Sequence, residues 1–391
     1  MQVYLDHSAT TPPNPEVVRL MQAVMLEQWG NPSSIHAWGE RSALVLERAR
    51  IQVAELLNAT PESIVFTSGG TEANNLAVMG IAKKYHAPQH MIISAIEHAA
   101  IAEPIAWLEQ CGWEITRLAV NSQGWLNPAD LQQAIRANTV LVSIIYAQNE
   151  VGTIQPIEKL GQICRSAGIC FHADAVQAVG RLPIDVQKLP IDMLSISSHK
   201  LYGAQGVGAL YVRPHTASEF QLLPLLLGGN QESNMRPGTQ PIAAIAGFGL
   251  AAVIAAEDLD HESARLISLR DRLITQLTNL PGIELTGAQP QSLGGQNNGG
   301  DRLPHHASFY HPHLNGRSFV RAMSKVGIGI SSGSACSSGS ITASPVLLAM
   351  GYSQQQALGA IRMTLGRSTS STQIDYTVQA FKQILREQLP D

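Results

Sequence analysis

Short apolar stretches alternate with amphipathic helical stretches through the first half of the chain, and this regularity leaves few folds open. Seven apolar stretches of four to eight residues begin near positions 64, 91, 115, 140, 169, 191 and 209. Helical periodicity or turn residues separate each stretch from the next. Strands and helices in this order are typical of a mostly parallel sheet with helices on both faces. We therefore predict an α/β fold built on a mostly parallel seven-stranded sheet.

A helical stretch at residues 241–280 ends this alternation and leads into a second set of strands and helices. Because 391 residues is long for one domain, two domains are expected. We predict a large domain at residues 15–255 and a smaller α+β domain formed by residues 1–14 and 256–391. Within the smaller domain, a polar insertion at residues 287–302 is rich in Gly, Asn and Gln without any period, which predicts a surface loop.

The charge balance argues against nucleic acid or an anionic membrane as a partner. The net charge is −4 and 14% of the residues are charged, which is ordinary for a globular protein and provides no basic surface. The N-terminal residues lack a secretory pattern, and the apolar run at 242–256 contains two glycines and is too short to span a bilayer. The four cysteines include no CxxC pair, which indicates a reducing compartment. We therefore predict a cytoplasmic protein.

One lysine occupies a position suited to covalent catalysis. Lys200 ends an apolar stretch, directly after Ser197, Ser198 and His199. Ligands of parallel sheets bind at the carboxyl ends of the strands, where desolvation can lower the pKa of an amine. A neutral amine there can form a Schiff base with an aldehyde cofactor such as pyridoxal 5′-phosphate (PLP). Taken alone, the same motif is more often a surface lysine in a turn, so the surrounding motifs must decide.

A glycine-rich turn after the first of the seven strands predicts a phosphate site. Ser68-Gly-Gly-Thr-Glu72 opens a helix, so that Gly70 permits close approach of a ligand while Thr71 and the helix N-terminus offer hydrogen-bond donors. Neither the GxGxxG spacing nor the lysine of a P-loop is present. A small phosphorylated cofactor is therefore favoured over a nucleotide.

Polar residues at further strand ends form a set suited to a pyridine ring. His98 could stack on a flat ring, and Asn149 could hydrogen-bond a ring substituent. A buried carboxylate needs a cationic partner, and for Asp174 a protonated pyridine nitrogen would serve. Gln177 could reach the phenolic oxygen of the ring. Together with Lys200 and the phosphate turn, this set predicts PLP.

The segment at residues 331–342 carries the residue that would select the reaction. Cys336 stands among serines and glycines, which favour a flexible and exposed backbone rather than the buried setting usual for cysteine. An exposed thiol in such a segment suits a nucleophile that must visit two places. Arg362, on the strand that follows, provides a fork for a substrate carboxylate.

Three other patterns predict no site. Residues 247–252 match G-x-G-x-x-A but lie within a helical stretch and follow no strand, which argues against a dinucleotide. The histidines at positions 305, 306, 311 and 313 lack a carboxylate or cysteine at ligand spacing, so no metal site is predicted. Cys164 and Cys170 are predicted to be buried small apolar residues.

The chain resembles the cysteine desulfurases of the NifS/IscS type across nearly its whole length. Its loop, with the form Ser-Gly-Ser-Ala-Cys336, resembles the first group of that family rather than the group that includes selenocysteine lyases. The matching motifs, in chain order, are Tyr4-Leu-Asp-His-Ser-Ala-Thr-Thr11, Asn31-Pro-Ser-Ser-Ile-His36, Thr67-Ser-Gly-Gly-Thr-Glu-Ala-Asn-Asn75, Glu97-His98, Asn149-Glu-Val-Gly152, His172-Ala-Asp-Ala-Val-Gln177, Ser197-Ser-His-Lys200, Met235-Arg-Pro-Gly-Thr239, Ser332-Gly-Ser-Ala-Cys336 and Ile361-Arg362.

The resemblance implies a PLP-dependent enzyme of the aspartate-aminotransferase fold (fold type I), working as a homodimer. It would convert L-cysteine to L-alanine and hold the sulfur as a persulfide on Cys336. A sulfur-acceptor protein would then receive this sulfur for the biosynthesis of iron–sulfur clusters and other sulfur compounds.

The resemblance also implies a role for each candidate residue. Lys200 would bind the cofactor covalently and move protons, Asp174 would bind the pyridine nitrogen, Gln177 the ring oxygen, and His98 would stack on the ring. Thr71, Ser197 and His199 would bind the phosphate beside Gly70, with Thr239 contributed by the other subunit, while Asn149 and Arg362 would bind the substrate carboxylate.

Two departures from the family pattern and two rival hypotheses remain. The chain ends soon after its closing helix, which leaves the sulfur acceptor undetermined, and the polar insertion at 287–302 is longer than usual. One rival is an aminotransferase or C–S lyase on the same scaffold, in which Cys336 is idle and the product is a keto acid or pyruvate. The other is a non-catalytic PLP-binding regulator, against which the complete set of candidate groups argues.

Overall fold

The computed structural model describes residues 1–214, 220, 222–290, 301–333 and 342–389 of the chain. Within these ranges the helices are α1 (Pro15–Glu27), α2 (Ala37–Leu56), α3 (Gly70–Ala82), α4 (Ala99–Gln110), α5 (Pro128–Ala134), α6 (Ile157–Ser166), α7 (Ile242–Thr278), α8 (Gly316–Lys325), α9 (Pro345–Ala349), α10 (Gln354–Leu358) and α11 (Ser371–Gln388). The strands are β1 (Val3–Tyr4), β2 (Ile64–Thr67), β3 (His90–Ser94), β4 (Glu114–Leu118), β5 (Thr139–Ile145), β6 (Cys170–Asp174), β7 (Met193–Ser197), β8 (Gly208–Val212), β9 (Glu284–Leu285), β10 (His306–Tyr310), β11 (Ile328–Gly329), β12 (Ser331–Ser332) and β13 (Ala360–Thr364).

The central sheet has seven strands in the order β2-β8-β7-β6-β5-β3-β4. Strands β3 to β7 pair in parallel, whereas β8 is antiparallel to both of its neighbours. Apolar residues of α1, α2 and α6 cover one face, and those of α3 and α4 cover the other. Because helices cover both faces, strands such as β6 and β7 are buried along their whole length. The predicted mostly parallel seven-stranded sheet is confirmed.

A second core lies under a four-stranded sheet of order β12-β13-β10-β9. Its apolar residues come from α8, α11, the later part of α7 and the N-terminal residues Val3 and Leu5. The N-terminal strand β1 pairs in parallel with β11, so the first residues of the chain pack with its last third. The division into two domains, with residues 1–14 grouped with residues 256–391 and a boundary at residue 255, stays a prediction.

Helix α7 is 37 residues long and contributes to both cores. By length and composition it could cross a membrane, so the sequence-based statement that this stretch is too short was wrong. Half of its most apolar section is buried, however, because the residues there pack against the rest of the protein. A Cβ on Gly247 would lie 2.8 Å from Met21 of α1, and a Cβ on Gly249 would lie 2.7 Å from Ala49 of α2. The apolar residues of α7 therefore serve close helix packing.

Both ends of the polar insertion are buried, which corrects the prediction of a surface loop throughout residues 287–302. Thr286, Ala288 and Arg302 are all buried. The Arg302 guanidinium donates to the carbonyls of Thr286 and Ala288, the latter at 2.7 Å. Burial lowers the pKa of Arg302 to about 9. These carbonyls fix the two ends of the insertion together, while residues 291–300 lie outside the described ranges.

Candidate active site

A cavity of about 340 Å³ lies at the carboxyl ends of the parallel strands. Its volume is in the range of small-ligand and cofactor sites. The predicted site residues that line it are Gly70, Thr71, His98, Asn149, Asp174, Gln177, Ser197, His199, Lys200 and Arg362. Further lining residues, which the sequence did not indicate, include Ser8, Ala9, Asn74 and Val176.

Lys200 enters this cavity from the helical turn Ser198–Lys200, which directly follows β7. Its Nζ donates hydrogen bonds to the carbonyls of Ser8 and Ala9, at 2.5 and 2.7 Å. Burial lowers the pKa of this amine to about 8, and the Arg362 guanidinium acts in the same direction, while Asp6 and Asp174 oppose it. The neutral, nucleophilic fraction of this amine near neutral pH is therefore much larger than that of an ordinary lysine.

Asp174 is the last residue of β6, rather than a residue of the following loop as the sequence suggested. Its carboxylate is buried and accepts hydrogen bonds from Asn74 Nδ2 at 2.7 Å and from the Val176 amide at 3.1 Å. None of the ion pairs among the described residues involves Asp174. A buried carboxylate that faces the cavity and forms no ion pair with a described residue suits a protonated ring nitrogen.

The turn before α3 has the shape of a phosphate cradle. Gly69 has φ 155° and ψ −176°, a backbone region that only glycine adopts readily. A Cβ on Gly70 would lie 2.7 Å from Val176, so the helix start packs closely against the residues after Asp174. The free amides at the start of α3 and the exposed Thr71 side chain are donors for an anion.

Two histidines at the cavity have defined surroundings. His98 caps α4, where its Nδ1 accepts the Ala100 amide at 3.1 Å, so Nε2 is the ring atom that carries a proton. His199 Nδ1 lies 3.0 Å from the Thr10 hydroxyl. Burial, together with the charge of Lys200, lowers the pKa of His199 to about 4, so its ring is neutral. A neutral His199 can still donate one hydrogen bond to a phosphate.

The Ser8 carbonyl joins two predicted site residues, because it accepts hydrogen bonds from Gln177 Nε2 at 2.9 Å and from Lys200. Sequence reasoning missed both Ser8 and Asn74 as site residues. Each lies inside a motif that was noted, Ser8 in the N-terminal stretch and Asn74 four residues after Gly70 on α3. Helical spacing from Gly70 is the signal that could have identified Asn74.

Arg362 lies in the middle of β13 and is almost fully buried. Its Nη2 is 2.7 Å from the Asp6 carboxylate, and its Nη1 donates to the Asn149 carbonyl at 3.1 Å. Its Nε is buried without a hydrogen-bond partner among the described residues. A substrate carboxylate at this guanidinium would therefore pair with Nε and share the remaining donors with Asp6 and Asn149.

Of the remaining predicted site residues, one does not line the cavity and the other lies outside the described residues. Thr239 is exposed at the surface of its own chain. Cys336 lies outside the described residues, since the described chain stops at Gly333 and resumes at Thr342. The sequence predicted a loop that begins at residue 331, but Ser331 and Ser332 form the short strand β12, which pairs with β13.

Both flanks of residues 334–341 lie beside Glu150, the neighbour of Asn149. The Ser344 hydroxyl donates to Glu150 Oε2 at 2.5 Å, and a Cβ on Gly333 would lie 4.0 Å from the same oxygen. Burial raises the pKa of Glu150 to about 7. The described residues Gly333 and Ser344, on either side of the residues that include Cys336, thus lie next to the loop that carries Asn149.

These residues fit PLP. The cavity combines a buried carboxylate for a ring nitrogen, a lysine amine of lowered pKa and an amide-rich helix start for a phosphate. The described residues contain no group of three or more His, Cys, Asp or Glu side chains that could hold a metal ion. Both His305 and His306 are buried, and burial lowers the pKa of each well below its usual range.

Known proteins match the chain over almost its full length. The class-V aminotransferase family matches residues 3–377. A cysteine desulfurase IscS of Dictyoglomus turgidum is 42% identical over 388 residues, covering 99% of this chain and 95% of that protein. A NifS-like protein of known structure has a TM-score of 0.89 at 33% identity and covers 99% of this chain and 100% of its own. SspA, solved in complex with cysteine, has a TM-score of 0.79 at 35% identity, covering 93% of this chain and 99% of its own.

The predicted fold type I and the predicted PLP dependence are confirmed by these relatives. The relatives match almost the whole chain, and its cavity fits the cofactor. The chain belongs to the class-V aminotransferase family and, within it, to the cysteine desulfurases of the NifS/IscS type.

Proposed function

We propose that this protein is a PLP-dependent cysteine desulfurase that uses Lys200 and Cys336 to convert L-cysteine to L-alanine and an enzyme persulfide. The observation that carries the proposal is one cavity that brings together the Lys200 amine, with its pKa lowered to about 8, and the buried Asp174 carboxylate. The persulfide sulfur supplies the biosynthesis of iron–sulfur clusters and other sulfur compounds. The IscS relatives and the cysteine-bound SspA support this function.

Each cavity residue has a proposed role toward the cofactor. When bound, PLP supplies an electron sink that weakens the bonds to the α-carbon of an amino acid. Asp174 keeps the ring nitrogen protonated, Gln177 contacts the ring oxygen, and His98 stacks on the ring. Gly70, Thr71, Ser197 and His199 bind the phosphate. Asn149 and Arg362 orient the substrate carboxylate.

Two residues of the chain perform the chemical steps. Lys200 Nζ takes a proton from the α-carbon of the substrate and returns it further along the reaction, a role that its lowered pKa favours. The Cys336 thiolate forms an S–S bond to the substrate sulfur while the C–S bond breaks. The electron pair of the C–S bond stays on the carbon skeleton, which takes up a proton and leaves as alanine. Sulfur is transferred and no outside oxidant is required.

Product analysis tests the reaction type. With L-cysteine and a thiol reductant, the enzyme is expected to release alanine and sulfide in equal amounts, because the reductant removes the persulfide sulfur in each cycle. Amino-acid analysis and a colorimetric sulfide assay measure the two products. Pyruvate or another keto acid in place of alanine would show that the enzyme is instead a C–S lyase or an aminotransferase with an idle Cys336.

Replacing Asp174 with Asn should reduce alanine formation by ~10²-fold or more, because the amide has no charge to keep the ring nitrogen protonated. The cofactor should also bind more weakly, which equilibrium dialysis against PLP measures. Asp130→Asn is the matched control, since Asp130 is an exposed carboxylate on α5 that does not line the cavity. A loss of less than threefold for Asp174→Asn would mean that Asp174 does not serve the ring.

The homodimer is also part of the proposal. Thr239 is exposed in its own chain and completes the phosphate site of the partner subunit. A groove lined by Pro32, Leu44 and Asn230 adjoins the segment that carries Thr239. Large apolar side chains stand exposed near it, Ile35 at 95% and Leu44 at 71%. Exposed apolar surface of this kind favours a protein interface.

The persulfide on Cys336 is passed to a thiol of a sulfur-acceptor protein. Such a transfer needs thiols that are kept reduced, and the cytoplasm is the proposed location.

A further inference from the structure

A strained turn lies just before the motif that carries Thr239. Three consecutive residues that are not glycine have left-handed backbone conformations: Glu232 with φ 48°, Ser233 with φ 53° and Asn234 with φ 68°. Residues with side chains avoid this region, and a run of three persists only where surrounding contacts enforce it. The contacts that enforce it indicate what the turn is for.

The Glu232 carboxylate provides those contacts. Its side chain is fully buried and forms a two-pronged pair with Arg50, with both N–O distances at 2.8 Å. The same carboxylate accepts the Phe66 amide of β2 at 2.9 Å. Arg50 is fixed in turn, because it donates to the Ile64 carbonyl at 2.5 Å and lies 4.8 Å from the Phe66 ring centroid. The turn is thus attached to the strand that leads into the phosphate cradle.

The residues on both sides of Thr239 are held by this turn and by α3. Gln240 donates to Glu232 Oε1 at 3.1 Å, and the Gly238 amide donates to Gln231 Oε1 at 3.0 Å. Arg236 pairs with Glu72 of α3 at 2.8 Å. Thr239 itself stays exposed between these fixed neighbours. The backbone is therefore presented in one conformation, with the threonine side chain on the surface.

Stability alone is a poor explanation for the Arg50–Glu232 pair. Taking two charges out of water costs about as much as their attraction returns, so apolar residues would stabilise the fold equally well. A buried pair does fix one conformation, because its geometry admits few alternatives. That property suits a segment which must place one side chain accurately outside its own subunit.

We propose that Glu232 is a positioning residue for the neighbouring subunit: its carboxylate fixes Thr239 where the partner's site binds the phosphate of PLP. The inference rests on the proposed homodimer with shared sites. Glu232 therefore acts on the cofactor affinity of the partner's cavity rather than on that of its own chain, although its hydrogen bond to Phe66 lies next to its own phosphate cradle.

Heterodimers with one functional lysine separate the two effects. In the first, a wild-type subunit is paired with one that carries Lys200→Ala and Glu232→Gln, so the only lysine-bound PLP lies in the cavity served by the altered turn. In the second, a Glu232→Gln subunit is paired with a Lys200→Ala subunit. The lysine-bound PLP then lies in the Glu232→Gln subunit, and the intact turn of the Lys200→Ala subunit serves its cavity. The visible absorbance of lysine-bound PLP, titrated into the apoprotein, gives the dissociation constant.

The first heterodimer is expected to bind PLP ~10-fold more weakly or worse, a loss expected when a charged hydrogen-bonding group is removed. The second should bind as tightly as a heterodimer of wild-type and Lys200→Ala subunits. Equal affinity in both arrangements, or weaker binding in the second alone, would overturn the proposal. Because both heterodimers contain the same substitutions, a general loss of stability cannot produce the difference.

Thr239→Ala in place of Glu232→Gln, in the first arrangement, tests the shared site separately. If Thr239→Ala has no effect there, the shared phosphate site is wrong; if it weakens binding and Glu232→Gln does not, only the role of Glu232 is wrong. Should Glu232→Gln subunits fail to fold, Gln240→Met removes one hydrogen bond to the carboxylate and keeps the side-chain length. It should weaken binding only in the first arrangement, and the absence of that effect would also reject the proposal.

Discussion

The Cys336→Ser enzyme is expected to bind PLP normally and to lose cysteine-dependent alanine formation by more than ~10³-fold. Cofactor binding involves none of the thiol chemistry, whereas sulfur abstraction needs a thiolate that a serine hydroxyl cannot replace at neutral pH. In the wild-type enzyme, mass spectrometry after incubation with cysteine and without reductant should show one added sulfur on the peptide that contains Cys336. While only part of the thiol is ionised, the rate should rise as the pH approaches the reference thiol pKa of about 8.5.

Cys111→Ser is the matched control for this experiment, because Cys111 is an exposed thiol away from the cavity lining. It should leave both the rate and the persulfide unchanged. Cys164 is a poor alternative nucleophile, since burial raises the pKa of its thiol to about 12 and keeps it protonated. Added sulfur on Cys111, Cys164 or Cys170, or alanine production by Cys336→Ser at the wild-type rate, would disprove the role of Cys336.

Lys200→Ala should reduce alanine formation by ~10³-fold or more, because the substitution removes both the covalent attachment of the cofactor and the proton-transferring amine. The variant should still take up PLP through the phosphate contacts, without the visible absorbance of a lysine-bound cofactor. In the wild-type protein, borohydride reduction followed by peptide mapping should locate the cofactor on Lys200. The attachment rate should rise with pH and level off above about 8, where burial has placed the pKa of this amine.

Lys188→Ala serves as its control, since Lys188 is 84% exposed and pairs with Asp185 at the surface. A reduced cofactor adduct on any lysine other than Lys200 would reject the assignment, and so would normal turnover by Lys200→Ala.

The candidate site was predictable where its residues lie close to a strand boundary. Lys200, Asp174 and Asn149 each stand within four residues of the end of a buried strand, and such ends are marked by a local change from apolar to polar residues. Because parallel strands end at one edge of the sheet, separate local patterns could be assigned to one cavity. The family resemblance, carried by ten motifs spread over the chain, added the reaction type, and the comparisons confirm it.

Site residues that are distant from the others along the chain show no such local pattern in the sequence. Ser8 lies 192 residues before Lys200, and Asp6 lies 356 residues before Arg362. Their roles depend on the tertiary fold, and Ser8 acts through a backbone carbonyl that any residue possesses. Strands of two residues such as β9 and β12 are too short for an alternating pattern to form.

The sequence predicted a helical stretch at residues 241–280, close to the observed Ile242–Thr278, but judged its capacity to cross a membrane from the apolar part alone. That apolar part ends near Ala256, whereas the helix continues through charged residues to Thr278. The change of composition marks the passage from the first core to the second, where one face is apolar and the other solvent-exposed. Apolar content therefore indicates which part of α7 is buried, but it does not indicate how long the helix is.

The placement of the N-terminal residues has a consequence for how the newly made chain becomes an enzyme. The Ser8 and Ala9 carbonyls accept hydrogen bonds from the Lys200 amine. The N-terminal segment that carries them is fixed by residues of the last third of the chain. The Leu5 amide donates to the Gly329 carbonyl and the Ser8 amide to the Thr364 hydroxyl, both at 2.8 Å. On the ribosome, Lys200 emerges well before either of these partners has been translated. Contacts of such long sequence separation form late, because they close large loops of chain. We therefore expect the lysine to gain its low-pKa surroundings, and with them its capacity to capture the cofactor, only after Gly329 and Thr364 have been translated.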